Sequence, residues 1–265
     1  MSSSSLKTYV IVLLVIINVV LIVLYGLDDW ERNTVARAQQ EDMRDIFARS
    51  GVALHDSAII DAGIEHMETL VTRSVVSELA LVSSVLGADV YSEDRGGNII
   101  YYSGVNGTAL FHPDGYFEIR IPFLSSGGRK SLDEQVDEFI EQLGVDLRKS
   151  SETGRQLHYI VIRNGVEVIN QYFTFNFGLS GGVDISGSYV VGLESPANPL
   201  DYTDPYTASL RFLRLIESIG VLCGEISAID LAYTFDNSLY TPIWIFRTDT
   251  GEYMLNAMTG ELYYA

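Results

Sequence analysis

Cysteine is almost missing from this chain, which has only one, Cys223, among 265 residues. No intrachain disulfide is therefore available to hold the fold together. The stretch from Ile219 to Cys223 is apolar and small, so Cys223 fits a buried packing position. No lipobox precedes it, and we expect it to be neither a lipid anchor nor a disulfide partner.

Basic residues are also scarce, with 17 Lys and Arg against 35 Asp and Glu, a net charge of −18 and a pI near 4.4. Such a chain repels nucleic-acid phosphates and anionic lipid headgroups, which excludes nucleic-acid binding as a function class. The acidity is typical of a well-solvated surface. A weak divalent-cation surface is the alternative, but no spacing of Asp, Asn and Glu matches a calcium loop.

The patterns that catalysis and metal binding require are missing too. The four histidines are never paired at metal-ligand spacing; they are His55, His66, His112 and His158. The letters of Gly178–Gly182 match G-x-S-x-G, but no helix pattern follows, so a hairpin loop is predicted there instead of a nucleophile elbow. Glu134 and Glu138 lie on the polar face of a predicted helix. The sequence therefore predicts a protein that is not an enzyme, with no catalytic, cofactor-binding or metal-binding residue.

The longest apolar run lies near the N-terminus, where residues 9–27 contain the nearly unbroken hydrocarbon stretch Tyr9–Leu24. About 20 apolar residues span a bilayer as a helix, so an uncleaved transmembrane anchor is predicted, preceded by a short cytoplasmic tail at residues 1–8. A cleaved signal peptide is the rival interpretation, but the run is longer than a signal h-region and no small-x-small site follows it. Lys7 precedes the run and acidic residues follow it, which favours a single-pass topology with the bulk of the chain outside the cell membrane.

Asn18, in the middle of the predicted span, is its most informative polar residue. An amide in hydrocarbon costs free energy unless it finds a hydrogen-bond partner, so it tends to face another helix. A lone Asn satisfied by its own helix is the alternative. Asn18 is therefore the candidate contact with a transmembrane partner.

Beyond the anchor the pattern predicts an α+β chain with antiparallel sheets and helices packed on one face. Residues 28–51 are predicted as a stalk helix that leads the folded part away from the membrane. Residues 52–124 are predicted as a membrane-proximal domain and residues 131–265 as a distal domain. A Ser- and Gly-rich linker separates the two. An exported chain without disulfides is typical of a bacterial surface, in particular a Gram-positive one.

Three helices are predicted in the outer part, each followed by strands and turn residues. Apolar residues at three- and four-residue steps predict a helix over Ile64–Leu86. A capping box of Ser131 and Glu134 opens the second helix. Asp204 as N-cap and Pro205 as N1 open the third. Units of a helix followed by a strand meander therefore recur, although no fixed residue period accompanies them.

Two stretches of the chain carry a resemblance to known families. They are Asn164–Asn170 with Phe173–Phe175 and Ile185–Tyr189, and Pro242–Tyr253 with Asn256–Glu261. The first resembles the strand–strand segment of YycH/YycI-type regulators of an essential cell-wall sensor kinase. The second resembles the closing meander that these regulators share with PepSY-like domains.

The resemblance implies a non-enzymatic, membrane-anchored regulator of a two-component system that controls the cell envelope. Its partners would be a sensor histidine kinase and a sister regulatory protein. It would contact them through the membrane span and the outer domain. A PepSY-like inhibitor or ligand-binding module that acts on an exported protease or wall enzyme is the alternative. A membrane-anchored hydrolase is disfavoured because no catalytic constellation is present. Whether the tyrosine-rich strands bind a peptide or a glycan stays open at this point.

Overall fold

The computed structural model describes residues 40–55, 68–122, 131–179, 181–197 and 202–263, together with Leu14 and Asn18. The helices in these ranges are α1 (residues 40–49), α2 (Val75–Leu86), α3 (Leu132–Leu143) and α4 (Pro205–Ile219). The strands are β1 (Ala53–Leu54), β2 (Thr69–Arg73), β3 (Tyr91–Asp94), β4 (Ile100–Gly104), β5 (Gly107–Phe111), β6 (Tyr116–Ile121), β7 (Leu147–Thr153), β8 (Gln156–Arg163), β9 (Val166–Phe177), β10 (Val183–Ser188), β11 (Gly192–Pro196), β12 (Glu225–Asp236), β13 (Leu239–Thr248), β14 (Gly251–Asn256) and β15 (Leu262–Tyr263).

The strands form one mixed sheet, so the protein is α+β. The main path of the sheet runs β11-β2-β13-β12-β9-β10-β6-β5-β4-β3, with β7 and β8 extending from β9 and with β14 and β15 extending from β13. β12 pairs in parallel with both β1 and β9. The prediction of antiparallel sheets is wrong for these pairs. They join segments far apart in the sequence, and local turn patterns report only strands that follow one another.

A helix followed by four antiparallel strands occurs three times: α2 with β3 to β6, α3 with β7 to β10, and α4 with β12 to β15. The first two sets meet where β6 pairs with β10 and together form a continuous antiparallel sheet, which we call the β3–β10 sheet. The third set also packs against α1 and β1, and we call this group the closing unit.

The helix predicted over Ile64–Leu86 is wrong in its described first part. Residues 61–67 lie outside the described residues, Thr69–Arg73 is the strand β2, and α2 begins only at Val75. The Ser74 side chain accepts a hydrogen bond from the Ser77 backbone at 3.2 Å, which caps α2 at this point. β2 is a strand because it hydrogen-bonds to both β11 and β13, and these non-local pairs override its helix-compatible spacing.

The other two predicted helices begin where their caps indicate. Ser131 and Glu134 form both hydrogen bonds of the capping box at α3, and Asp204 caps α4 with Pro205 in its first turn.

Strand β7 was not predicted. Its sequence, LRKSSET, is exposed from its second residue onward, so it lacks the alternation of buried and exposed residues that marks a strand.

The helices cover one face of the sheet. Along β12, Ile229, Leu231 and Tyr233 point to the same side because side chains alternate along a strand. Leu231 belongs to the core under α1 and α4, and Tyr233 belongs to the core under α2 and α3. The two cores are therefore neighbours on one side of the sheet.

The described part of the predicted stalk helix, α1, is not a free stalk. Met43 and Phe47 are 1% and 0% exposed, because they enter the core of the closing unit. Residues 40–49 are helical, and the role of residues 28–51 as a stalk stays a prediction because residues 28–39 lie outside the described residues.

Among the described residues, no helix has the length and apolar character needed to cross a membrane. The predicted span at residues 9–27 lies outside the described residues apart from Leu14 and Asn18. Both of these residues are helical and exposed.

Candidate functional site

The face of the β3–β10 sheet opposite α2 and α3 is open and polar. In β6, Phe117 and Ile119 are each 1% exposed and point toward the helices. Tyr116, Glu118 and Arg120, which alternate with them along the strand, are exposed. The strand registers align one row of side chains on the open face, running across six strands through Tyr101, Leu110, Glu118, Ser186, Thr174 and His158. The row carries hydroxyl, carboxylate and ring groups, and within it Thr174 is buried at 5% exposure.

A concavity of about 330 Å³ lies on this face above β5 and β6. Arg95 and Tyr101 form one wall, with the guanidinium carbon 3.8 Å from the ring centroid. Arg120 and Asp184 form another wall, joined by an Nε–Oδ1 contact of 2.9 Å. We call it the sheet-face concavity.

Tyr116 stands at the rim of the sheet-face concavity. Its hydroxyl donates to Glu118 Oε1 at 2.7 Å, and its ring meets that of His112 edge-on at 5.4 Å between centroids. The hydrogen bond to Glu118 is the main reason that the pKa of Tyr116 is raised. Tyr116 therefore remains a neutral phenol with a fixed ring orientation.

A second polar cluster joins the β3–β10 sheet to the closing unit. Arg163 at the end of β8 donates to both carboxylate oxygens of Glu194 on β11, at 2.6 and 2.8 Å. Its guanidinium carbon lies 4.4 Å from the ring centroid of Tyr240 on β13, whose hydroxyl donates to Gln171 on β9 at 2.6 Å. The hydrogen bonds from Arg163 lower the pKa of Glu194, and burial raises that of Tyr240. The cluster is a connector that joins four strands by side chains.

A third cluster fixes the start of α2 against β4 and β5. Glu78 is 1% exposed, pairs with Arg73 and accepts a hydrogen bond of 2.9 Å from the Tyr102 hydroxyl. Arg73 also donates to the backbone carbonyls of Asn98 and Phe111, at 2.6 and 3.3 Å. Burial and the neighbouring Glu78 carboxylate raise the pKa of Tyr102. The Glu78 carboxylate is buried among hydrogen-bond partners from the protein itself, so we assign this cluster a structural role.

α1 is fixed to the closing unit by apolar packing, and the strand after it by backbone hydrogen bonds. Phe47 shares a core with Phe212 and Phe246, whose rings stack with centroids 4.2 Å apart. Directly after α1, the Ala53 N–H donates to the Gly224 carbonyl at 2.8 Å, and the His55 N–H donates to the Ile226 carbonyl at 3.1 Å. The chain that leads from the predicted anchor is therefore held by a buried helix face and a parallel strand pair.

Cys223 lines a cleft of about 370 Å³ between the ends of α1 and α4. It is buried, as the sequence indicates, and its Sγ lies 3.6 Å from the Glu225 carbonyl oxygen. Burial, reinforced by the nearby Asp249 carboxylate, raises the pKa of the thiol. Because the thiolate is the reactive form, this environment disfavours a nucleophilic role.

The structure places the predicted site residues as follows. Asn18 is helical and exposed. The Gly178–Gly182 segment connects β9 to β10, which pair antiparallel, so the predicted hairpin is confirmed and a strand follows it; Ser180 itself lies outside the described residues. His158 Nδ1 lies 2.9 Å from the Thr174 hydroxyl, His55 is exposed, and His66 is not among the described residues. Within the described ranges, no three His, Cys, Asp or Glu residues converge as metal ligands would.

Sequence reasoning missed the residues of the sheet-face concavity. The alternation in β6 and in β10 does indicate that Arg120 and Asp184 face solvent. What brings these two side chains together is the β6–β10 register, which pairs residues 64 positions apart. No local signal in the sequence reports that register.

A comparison of the chain with models of known protein families and with curated proteins finds no match. The likeness to YycH/YycI-type regulators therefore stays an expectation that rests on the stretches quoted above.

Proposed function

We propose that this protein is a non-enzymatic, membrane-anchored accessory protein that regulates a sensor histidine kinase of a two-component system. It would do so through its membrane segment and its outer body, by which we mean the β3–β10 sheet together with the closing unit. The observation that carries the proposal is the docking of α1, since Met43 and Phe47 are buried in the closing unit. The chain from residue 40 onward is therefore part of the packed body, and a contact made at α1 acts directly on the closing unit.

The connection continues from α1 into the sheet. β1 pairs in parallel with β12, and β12 in turn pairs with β9 and β13 in the centre of the sheet. Elements that are packed and hydrogen-bonded in this way transmit displacements because packed interiors have low compressibility. This arrangement suits a regulator in which a contact at α1 must reach the centre of the sheet.

Asn18 is the residue we expect to contact the kinase within the membrane. Leu14, one helical turn earlier, is 53% exposed, so both positions are available to a partner helix. An interhelical hydrogen bond in a membrane stabilises association by about 0.6 kcal/mol on average, or roughly a threefold change in the binding constant. Asn18 would thus tune the contact, and packing of the remaining span would supply most of the affinity.

In-cell photo-crosslinking tests this proposal. Crosslinkers placed one at a time along Val10–Leu24 should capture a histidine kinase from one helical face. Asn18→Leu should reduce its co-purification about threefold, whereas the control Ile16→Leu, which exchanges one apolar residue for another and removes no amide, should not. Capture of no kinase from any of these positions would refute the proposal.

A second candidate function is inhibition of an exported protease or wall enzyme by a PepSY-like module. The observation that favours it is the closing unit itself, in which α4 packs on a meander of β12, β13 and β14. The crosslinking experiment separates the two functions. An inhibitor would capture a protease or wall enzyme from exposed positions of the outer body and capture no kinase from the membrane segment.

A further inference from the structure

The sheet-face concavity is lined by charged and aromatic side chains that contribute little to the stability of the fold. Arg120 and Asp184 are 71% and 58% exposed, so their ion pair contributes little to folding. The core lies on the opposite side of the same strands, in Phe117 and Ile119. These exposed charged side chains are therefore available for recognition.

The backbone N–H and C=O groups of the strands beneath the concavity are already hydrogen-bonded to neighbouring strands. β5, β6 and β10 are interior strands of the sheet, each paired on both sides. An extended peptide recognised by strand addition needs an unpaired edge, which these strands do not offer. A ligand here must be read by side chains that project upward from the sheet.

Two tyrosine rings line the concavity, and the Arg95 guanidinium covers one face of the Tyr101 ring, so a ligand would meet the other face of that ring. Tyr101 lies on β4, and Tyr116 lies on β6 next to Glu118, two strands away and one side-chain row along. Standard strand spacings separate their Cα atoms by roughly 12 Å. The electron-rich face of an aromatic ring attracts the polarised C–H bonds of a sugar ring, so two spaced tyrosines suit an oligosaccharide.

Charged planar groups lie beside the rings and are already oriented by their own contacts: Glu118 shares the side-chain row of Tyr101, and the Arg120–Asp184 pair lies one row further from Tyr116. The Arg120–Asp184 pair and the Glu118 carboxylate can donate to and accept from neighbouring hydroxyl groups at once. Hydrogen bonds to charged groups are stronger than neutral ones. A sugar with adjacent hydroxyls matches this alternation of donors and acceptors.

The local charge selects among saccharides. The concavity holds two arginines and two carboxylates, whereas the whole chain has a net charge of −18. An anionic polymer would be repelled by the rest of the surface, and the lining, whose charges cancel, has no excess negative charge to hold a cationic one once salt screens the acidic surface. The balance favours an uncharged ligand.

We propose that the sheet-face concavity binds a neutral oligosaccharide, with Tyr101 and Tyr116 as ring platforms and Arg120 and Asp184 as hydroxyl contacts. In an exported protein this would supply an envelope glycan as input. The proposal goes beyond the regulatory function above, since binding here does not require a kinase, and the failure of either leaves the other testable.

The test uses the full chain in detergent micelles and isothermal titration calorimetry with three tetrasaccharides. The probes are neutral chitotetraose, its cationic fully deacetylated form and anionic tetragalacturonate. We expect only chitotetraose to bind, with a submillimolar Kd. No heat from chitotetraose at 10 mM, or tighter binding of either charged probe, would overturn the proposal.

Variants then locate the binding site. Tyr101→Ala and Arg120→Leu should each weaken chitotetraose binding at least tenfold. The control Tyr91→Ala removes a tyrosine that is 67% exposed on β3, outside the concavity, and should leave the Kd within twofold. Equal loss in the control, or no loss in both site variants, contradicts the assignment. Arg120→Leu lies at an exposed position, so it keeps the test decisive if Tyr101→Ala does not fold.

Discussion

The β3–β10 sheet and the closing unit both cover one face with helices, but they differ on the other face. In the β3–β10 sheet that face is open and polar, with Tyr101, Glu118 and Asp184 accessible. In the closing unit the equivalent face has a buried apolar centre, with Ile243 and Ile245 at 0% and 5% exposure, and an ion-pair network of Arg247, Asp230 and Glu252 beside it. The two sheets therefore differ at the centre of this face, which is polar in one and buried and apolar in the other.

Side chains, and not a described helix, close the second face of the closing unit. Ile169 on β9 and Met254 on β14 pack against the cluster that contains Ile243 and Ile245. The Tyr263 hydroxyl accepts a hydrogen bond of 3.2 Å from Thr234, which places the Tyr263 side chain on the same face. The difference teaches that the two regions use their helix-free faces differently: the closing unit buries part of it, whereas the β3–β10 sheet leaves polar side chains accessible.

The largest expected effect comes from breaking the α1 anchor. Phe47→Ala should lower the free energy of unfolding by about 3–5 kcal/mol, because a fully buried ring is removed from the closing unit. Urea unfolding followed by tryptophan fluorescence would measure it, since Trp244 lies in the same core. Asp45→Ala, on the exposed side of α1, is the matched control and should change stability by less than about 0.5 kcal/mol. Equal effects from the two variants would show that α1 is not docked.

The contrast between the two second faces can be tested directly. Ile243→Ala should cost about 2–5 kcal/mol, because it leaves a cavity at a fully buried position. Ser186→Ala, on the open face of the β3–β10 sheet, should stay within about 0.5 kcal/mol. Chemical denaturation of both variants provides the measurement. A small loss for Ile243→Ala would mean that the face of the closing unit is also open.

The pH dependence of the free energy of unfolding should distinguish the buried Tyr102 from tyrosines on the surface. Burial raises the pKa of Tyr102, so its contribution is complete below the unfolded value near 10 and is lost as the pH rises above it. Each such group gives a slope of at most about 1.4 kcal/mol per pH unit. Between pH 9.5 and pH 11, Tyr102→Phe should therefore lose about 1 kcal/mol less stability than the unmodified chain.

Tyr91→Phe, at an exposed position on β3, is the control for this pH experiment. It should follow the unmodified chain across the same range. Identical alkaline curves for Tyr102→Phe and the unmodified protein would contradict a neutral, buried Tyr102 phenol.

The smallest expected effect concerns the ion pair of the open face. A double-mutant cycle of Arg120→Ala and Asp184→Ala should give a coupling energy of only about 0.2–1 kcal/mol, and salt should reduce it. Thermal unfolding at low and high ionic strength would measure it. A coupling above about 2 kcal/mol would assign this pair to folding and weaken its assignment to recognition.

The sequence predicted those elements whose signals are local. The capping residues Ser131 and Asp204 mark the starts of α3 and α4, and the alternation in β6 separates its buried side from its exposed side. β2 and β7 were missed because a strand with non-local partners needs no periodic pattern of its own. The candidate site was missed for the same reason, since its side chains come from separate parts of the chain.

The sequence by itself determined the α+β class, the scarcity of reactive groups and the apolar N-terminal run, because composition and short-range periodicity are written into the chain. Only the tertiary structure decided that α1 is docked, that β12 pairs in parallel with β9, and that Arg120 meets Asp184. These features depend on strand register and long-range packing. Both are fixed by the sum of many weak contacts across the sheet and by no single motif.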